Sequence, residues 1–208
     1  YGDHRDLHLS LRRQRQMCIR DRSLVAKPEH DFMKAEINYQ LLLQSVMQSG
    51  LPEDEYQKIE KLASSLDKND LSVDAILAKG TVLSHRNWIR QNYAREQIKI
   101  SWSKFFEEWD VLICPQLATT AIEHDHRKIS ERTVMVDNQE QRYFQQIFWP
   151  GLAVNAHLPS TVFPTGLSGD GMPIGLQVIG GAYEDKTTIK FAELYEEEFK
   201  AFVVPNLD

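Results

Sequence analysis

The sequence has few cysteines and no long apolar run. Only Cys18 and Cys114 occur among the 208 residues. If Cys18 belongs to a foreign segment, as argued below, Cys114 is left alone and no internal disulfide can form. No apolar run approaches the roughly 18 residues that a membrane-spanning helix needs, and the N-terminus lacks an apolar signal-peptide core. These absences predict a cytoplasmic protein that has no membrane partner.

Motifs for nucleotide and serine-hydrolase chemistry are also missing. The sequence contains no phosphate-binding glycine loop and no dinucleotide fingerprint, so no cofactor is predicted. The stretch 166–170 fails the G-x-S-x-G pattern of a nucleophile elbow at its last position. Ser84 and His85 are neighbours in sequence, and such side chains do not face each other on a helix. The residues alone therefore predict no catalytic site.

The chain has no excess of positive charge. Its formal net charge is -6, and 42% of its residues are hydrophobic while 26% are charged. These proportions are those of an ordinary soluble globular protein, and the length suits one domain or one domain with an appendage. Because phosphate recognition depends on clustered lysine and arginine, the acidic balance argues against a nucleic-acid partner.

The first 22 residues differ from the rest, with six arginines against three aspartates. One interpretation is a basic arm for nucleic acid or an acidic membrane. The other rests on residues 17–22 (MCIRDR), which resemble one reading frame of a transposon-end adapter used in sequencing libraries. We favour the second. It predicts a non-native, disordered segment at 1–22, a domain at 23–208, and a natural protein that continues further upstream.

Hydrophobic periodicity predicts alternating helices and strands, and hence an α/β fold. Helices are predicted at 31–49, 52–66, 84–108, 141–156 and 185–199, and strands at 111–115, 161–164 and 174–179. The first strand should be buried in a sheet covered on both faces, and the other two form a hairpin with a glycine-rich turn. Residues 116–140 are predicted to be a long loop.

Two helices carry apolar faces that should point inward. On the helix at 84–108 the inward stripe is Trp88, Ile98, Trp102, Phe105 and Trp109, which we interpret as core rather than as a ligand box. On the last helix the inward residues are predicted to be Ile189, Ala192, Leu194 and Tyr195.

One cluster carries the chemistry of metal ligands, namely Glu123, His124, Asp125 and His126. Imidazoles and carboxylates bind metals, but no helical H-E-x-x-H or paired C-x-x-C frame fixes their geometry. We therefore predict no metal site. We expect these residues either to be polar loop residues in contact with solvent or to line the mouth of a site.

Two C-terminal stretches, 155–166 (NAHLPSTVFPTG) and 170–180 (DGMPIGLQVIG), resemble the C-terminal signature of amidase-signature enzymes. Features upstream of these stretches resemble the same family in order and spacing. They are residues 84–86 (SHR), Trp102, Phe105 with Phe106, residues 110–115 (DVLICP) and residues 124–126 (HDH). The resemblance runs from about Val25 to the end. It implies an incomplete amidase-signature-like fold, with helices packed on a partial mixed sheet.

The resemblance also implies an activity, the cleavage of carbon–nitrogen amide bonds in a small-molecule substrate. In the family a Ser, cis-Ser, Lys arrangement performs it, within a glycine- and serine-rich stretch. That stretch is missing here, because the adjacent pair Ser64 and Ser65 has no flanking glycines. We therefore expect a C-terminal fragment that is inactive alone, with no catalytic residue of its own.

The fragment would still supply part of the substrate pocket, and Phe148, Trp149 and His157 are predicted as one wall of it. The alternative, that large aromatic residues are core, is equally open. His157 stands where many family members have glycine. Two other functions are left open: a non-catalytic binding or interaction module, and part of the A subunit of a tRNA-dependent amidotransferase. The oligomeric state is not predicted.

Overall fold

The computed structural model describes residues 24–204. The predicted adapter-derived segment at 1–22 lies outside the described residues. In chain order the helices are α1 (Phe32–Met47), α2 (Glu53–Ser65), α3 (Val73–Thr81), α4 (His85–Glu108), α5 (Phe148–Ala156) and α6 (Asp185–Phe199). The strands are β1 (Val111–Pro115), β2 (Thr133–Val136), β3 (Gln139–Arg142), β4 (Ser160–Leu167) and β5 (Pro173–Gly180). Short 3-10 segments occupy Ile129–Glu131 and Tyr143–Ile147.

The helix starts follow from capping side chains. The carboxylate of Asp31 accepts hydrogen bonds from two backbone N–H groups of α1, and the hydroxyl of Ser84 accepts one from the N–H of Asn87. Each satisfies a backbone donor that the first helical turn leaves free. Ser84 thus caps the helix that is predicted at 84–108. Helix α3, capped by Ser72, was not predicted, since nine residues give too short a periodic pattern.

The main sheet has three strands in the order β1, β5, β4, and both pairings are antiparallel. Helix α6 packs on β4 and β5. The α/β prediction with helices packed on a partial sheet is confirmed, but the described strands form antiparallel sheets rather than a mixed one. The prediction that β1 is covered on both faces is wrong, because β1 is an edge strand and 44% of Ile113 is exposed.

A second, two-stranded sheet interrupts the region that was predicted to be a loop. Strands β2 and β3 pair antiparallel around Asp137 and Asn138, which have φ angles of 50° and 62°. Positive φ at both central residues is the geometry of a type I′ hairpin turn, which Asp and Asn tolerate. The loop prediction is therefore wrong for residues 133–140, and the helix prediction is wrong for residues 141 and 142, which belong to β3.

Pro150 also changes the predicted helix at 141–156. The α-helix begins only at Phe148, so the proline falls in its first turn, where a missing N–H costs no helical hydrogen bond. The residues before it, Tyr143–Ile147, form a 3-10 segment. The predicted hairpin of the last two strands is confirmed, with Gly166 and Gly171 both at positive φ.

The core lies between α4, α5 and the face of the main sheet that turns toward them. Its buried residues are Trp102, Phe105, Cys114, Leu152, Ala153, Ala156 and Ile179. The stripe predicted on α4 is confirmed at its centre, since 1% of Trp102 and 8% of Phe105 are exposed. On α6 the inward prediction is wrong for Ile189, because that side chain is exposed and Thr188 is buried. Within residues 24–204, no helix is both long and apolar enough to cross a bilayer.

Candidate functional site

Phe148 and Trp149 open helix α5 and form an aromatic pair. Their ring centroids lie 5.2 Å apart with an interplanar angle of 79°, an edge-to-face arrangement. Both side chains are partly buried and pack against the core cluster. Rings that are half-covered in this way present their remaining surface to solvent or to a ligand.

The side-chain amide of Gln177 fixes the position of this pair. Gln177 is 1% exposed, and its Nε2 donates hydrogen bonds to the carbonyl oxygens of Pro115 at 3.1 Å and Trp149 at 2.8 Å. Its Oε1 accepts a hydrogen bond from the Ser160 hydroxyl at 3.0 Å. One buried amide therefore joins the end of β1, the start of α5 and strand β4.

His157 lies at the opposite end of α5 from Phe148 and Trp149. Nine residues of α-helix span roughly 13 Å, so the structure brings two of the three predicted wall residues together and leaves the third apart. His157 is exposed and adopts left-handed backbone angles, φ 56° and ψ 45°, as the cap of α5. Partial desolvation of the ring, and then the positive charges of Arg95 and Lys99, lower the pKa of His157.

The serines considered as nucleophiles have structural partners. The Ser84 hydroxyl caps α4, and that of Ser65 donates to the carbonyl oxygen of Leu62 within α2. Ser168 accepts a hydrogen bond from the N–H of Met172 in the β4–β5 turn. These hydrogen bonds give each of the three side chains a structural role, and no catalytic role is needed to explain them.

One serine does contact a histidine: the Ser101 hydroxyl lies 3.2 Å from Nδ1 of His30. Among the side chains that the structure describes, this is the one hydrogen bond between a hydroxyl and an imidazole. Ser101 sits in the middle of α4, where backbone N–H groups are used inside the helix. Amide hydrolysis needs free donors for the developing oxyanion, and the helix offers none at Ser101.

A pocket of about 250 Å³ forms where segment 122–126 meets Arg132 and Tyr143. We refer to it as the loop pocket. The interpretation of Glu123 to His126 as residues that line a site mouth agrees with this placement. Among the described residues, no group of three or more histidine, cysteine, aspartate or glutamate side chains is arranged to hold a metal ion.

Asp125 in the loop pocket is held by a two-point ion pair with Arg127. The guanidinium Nε lies 3.1 Å from Oδ1, Nη2 lies 2.7 Å from Oδ2, and the Arg127 backbone N–H also donates to Oδ1. The side-chain hydrogen bonds from Arg127 are the main reason that the pKa of Asp125 falls to about 2. Asp125 is therefore ionised and already paired at neutral pH.

The sequence matches the amidase family over residues 25–189, which is most of the chain. The chain belongs to the amidase family. Members of this amidase-signature family are hydrolases that act on amide bonds. The resemblance given by the C-terminal stretches at 155–166 and 170–180 is confirmed.

Curated relatives of this amidase-family chain include the A subunits of two bacterial glutamyl-tRNA(Gln) amidotransferases. The protein of Thermosynechococcus vestitus is 34% identical over 111 residues, which are 53% of this chain and 21% of the relative. That of an Exiguobacterium species is 32% identical over 114 residues, 54% of this chain and 22% of the relative. The chain thus spans about a fifth of the length of these relatives.

Solved structures of amidases share the fold. A crystal structure of an amidase superposes with a TM-score of 0.60 at 16% identity, covering 93% of this chain and 42% of the other. The A subunit of the Thermotoga maritima glutamyl-tRNA(Gln) amidotransferase gives a TM-score of 0.56 at 16% identity, covering 85% and 36%. At this identity the likeness establishes the fold alone.

Sequence reasoning missed Gln177, Arg132 and the pairing of Ser101 with His30. Gln177 left a signal, because it is a lone polar residue inside the apolar run of β5, and buried polar side chains need hydrogen-bond partners. No comparable signal in the sequence pointed to Arg132 or Ser101. Their partners lie on other elements, and only the fold brings them together.

Proposed function

We propose that this chain is the C-terminal part of an amidase-signature hydrolase that cleaves carbon–nitrogen amide bonds, and that it does not hydrolyse amides by itself. The observation that carries the proposal is the combination of family membership with a missing catalytic set. The match to the family covers residues 25–189, yet the chain spans about a fifth of its curated relatives' length. The activated nucleophile would then belong to sequence outside this chain.

The surroundings of the serine hydroxyls support the inactivity of the chain alone. A serine nucleophile needs a base to take its proton and donors for the charge on the attacked carbonyl oxygen. Ser101 has a candidate base in His30 but lies within α4, whose backbone N–H groups are bonded inside the helix. The nearby start of α1 is already capped by the Asp31 carboxylate. The loop pocket contains two imidazoles and no serine.

Phe148 and Trp149 are proposed to form part of the wall of the substrate's acyl pocket. Their rings are half-covered, and the hydrogen bond from Gln177 to the Trp149 carbonyl fixes the backbone beneath them. His157 belongs to the same proposal as a separate contact, since it lies at the other end of α5. An apolar wall of this kind binds substrate through buried area and shape.

The second candidate function is that of an A subunit in a tRNA-dependent amidotransferase. The curated relatives named above are favourable evidence, since both are A subunits of glutamyl-tRNA(Gln) amidotransferases. The net charge of -6 is unfavourable for direct contact with tRNA. A non-catalytic interaction module is less well supported, because β1 leaves one strand edge unpaired within the described residues and such edges favour pairing with further chain.

The genomic DNA upstream of the codon for Ser23 tests the proposal. We expect an in-frame extension that encodes a glycine- and serine-rich stretch with a lysine. The extended protein should release ammonia or amine from simple amides, while the 208-residue chain should not. Trp149→Ala in the extended protein should raise KM more than kcat falls, because it removes binding surface. Hydrolysis confined to glutamine would favour the amidotransferase function, and an inactive extended protein would contradict the proposal.

A further inference from the structure

The loop pocket is built at the open end of the β2–β3 hairpin. Thr133 pairs with Arg142 in that hairpin, and the backbone N–H of Tyr143 donates to the carbonyl oxygen of Arg132 at 3.0 Å. The hairpin ladder therefore extends one step and sets Arg132 opposite Tyr143. Cross-strand neighbours are held at short distances by such a ladder, which makes this pair a fixed base for the pocket.

The guanidinium of Arg132 is held from two sides. Its Nε donates to the carbonyl oxygen of Arg127 at 2.7 Å, which fastens the loop to the hairpin. Its Cζ lies 5.9 Å from the centroid of the Tyr143 ring, within the range of a cation–π contact. A side chain with these restraints loses little conformational entropy when it binds a ligand. It therefore binds more tightly than an unrestrained side chain would.

Among the described groups, which do not include the Ser130 side chain, Nη1 and Nη2 of Arg132 have no hydrogen-bond acceptor. Guanidinium groups bind planar carboxylates through two parallel hydrogen bonds, and Arg132 offers that fork to the pocket. His124 and His126 stand nearby with ring centroids 6.2 Å apart, and each neutral imidazole carries one N–H donor. The pocket lining therefore brings the Arg132 fork and two imidazoles together.

Two acidic residues, Glu123 and Asp125, also line the pocket. Asp125 makes its two-point contact with Arg127, and the positive charge of Arg132 also contributes to the low pKa of Asp125. Glu123 is exposed and makes no ion pair with Arg132 at 4.0 Å or less. The charge of Asp125 is therefore largely balanced by Arg127, and Glu123 repels an incoming anion through a solvent-screened charge.

We propose that the loop pocket binds the carboxylate of a small organic acid, with Arg132 as the main contact and a histidine N–H as a second donor. Its volume of about 250 Å³ suits a compact ligand rather than a polymer. The site is separate from the Phe148 and Trp149 pair. The inference stands independently of the proposed amide hydrolysis.

The test is a titration of the full 208-residue chain with benzoate at neutral pH, followed by NMR of the histidine ring signals. Saturable shifts are expected at His124 and His126. Benzamide, which has the same shape without the charge, should bind at least about tenfold more weakly, because charge-assisted hydrogen bonds are stronger than neutral ones. Inorganic phosphate serves as the competing anion and should bind more weakly than benzoate.

The benzoate affinities of variants test whether Arg132 is the residue that contacts the carboxylate. Arg132→Gln should weaken benzoate binding at least about tenfold, and Arg132→Lys should weaken it severalfold, since lysine keeps the charge and lacks the fork. Lys128→Gln is the matched control: it removes one exposed positive charge from the same loop and should change the affinity by less than about twofold. Glu123→Gln should tighten binding by about twofold.

Three results would overturn the proposal. The first is benzamide binding as tightly as benzoate, which would make the pocket an apolar one. The second is an affinity of Arg132→Gln or Arg132→Lys equal to that of the wild-type chain. The third is tighter binding of phosphate than of benzoate, which would assign the site to a different anion. Unchanged backbone amide shifts in the β2–β3 hairpin confirm that each variant is folded.

Discussion

Gln177 donates a hydrogen bond of 2.8 Å from Nε2 to the carbonyl oxygen of Trp149. The amide is 1% exposed, so this contact and its partner at Pro115 lie in the interior. They join the sheet to the residue that begins the proposed substrate wall. A buried amide that satisfies two carbonyl groups is expected to contribute to stability and to fix the geometry of the groups it joins.

Gln177→Leu should lower the free energy of unfolding by about 2 to 4 kcal/mol. The substitution leaves the carbonyl oxygens of Pro115 and Trp149 without their donor, and each buried group left unpaired costs about 1–3 kcal/mol. Urea unfolding measures the effect. Gln57→Leu, on the exposed face of α2, is the control and should stay within about 0.5 kcal/mol. A cost for Gln177→Leu below about 1 kcal/mol would show that water or neighbouring groups replace the amide.

Gly151→Ala should destabilise the chain by about 1–3 kcal/mol, because overpacking forces neighbouring groups to move. A Cβ at Gly151 would lie 2.6 Å from Cε1 of Tyr39, on helix α1. Without such a clash, replacing glycine by alanine within a helix stabilises the protein by up to about 1 kcal/mol. The sign of the change in unfolding free energy therefore shows whether the new Cβ clashes with Tyr39.

A double-mutant cycle checks the cause at Gly151. In a Tyr39→Ala background the ring is gone, and Gly151→Ala should cost at least about 1 kcal/mol less than it does alone. Gly50→Ala, where no atom lies within 4 Å of the new Cβ, should cost almost nothing. An equal cost in both backgrounds would mean that the ring is not what the new methyl group meets.

His157→Gly should stabilise the chain by about 1 kcal/mol. His157 has φ 56° and ψ 45°, a left-handed conformation that costs about 1–2 kcal/mol for a residue with a Cβ and nothing for glycine. His157→Ala is the matched variant, since it removes the imidazole and keeps the Cβ. If alanine stabilises as much as glycine, the gain comes from removing the ring beside Arg95 and Lys99 rather than from the backbone.

The stability of the chain should fall between pH 7.5 and pH 5.5, in part through His30. Burial lowers the pKa of His30 below its usual 6.5. The unfolded chain therefore binds the proton more readily, so the stabilising effect is full above pH 6.5 and is lost as the pH falls through the lower, folded pKa. Urea midpoints across this range measure the slope. His30→Asn should flatten it, and an unchanged slope would assign it to other groups, His157 first.

How far the sequence predicted the fold depended on whether the signal was local. The start of α4 could be predicted because a capping side chain such as Ser84 acts within three residues. The periodic pattern of apolar residues over 84–108 was long enough to show the buried stripe of the helix. Helix α3 and the β2–β3 hairpin were missed, as both are short. The turn at Asp137 and Asn138 was readable in principle, since those residues tolerate positive φ.

The candidate sites depended on contacts between distant residues, which no local pattern reveals. The prediction of Phe148, Trp149 and His157 rested on family resemblance, and the length of α5 separates the third from the first two. The edge position of β1 could not be seen in its apolar sequence, because the same run suits a covered strand. Arg132 and Tyr143 meet only because the hairpin closes between them.

Ammonia release from acetamide, benzamide and glutamine by the purified 208-residue chain tests the central claim most directly. The claim is that the residues of this chain do not assemble a nucleophile, a base and an oxyanion site. It predicts a rate equal to the buffer blank, and the same rate for Ser101→Ala. Saturable ammonia release that is lost in Ser101→Ala would contradict it, because the hydroxyl beside His30 would then be a working nucleophile.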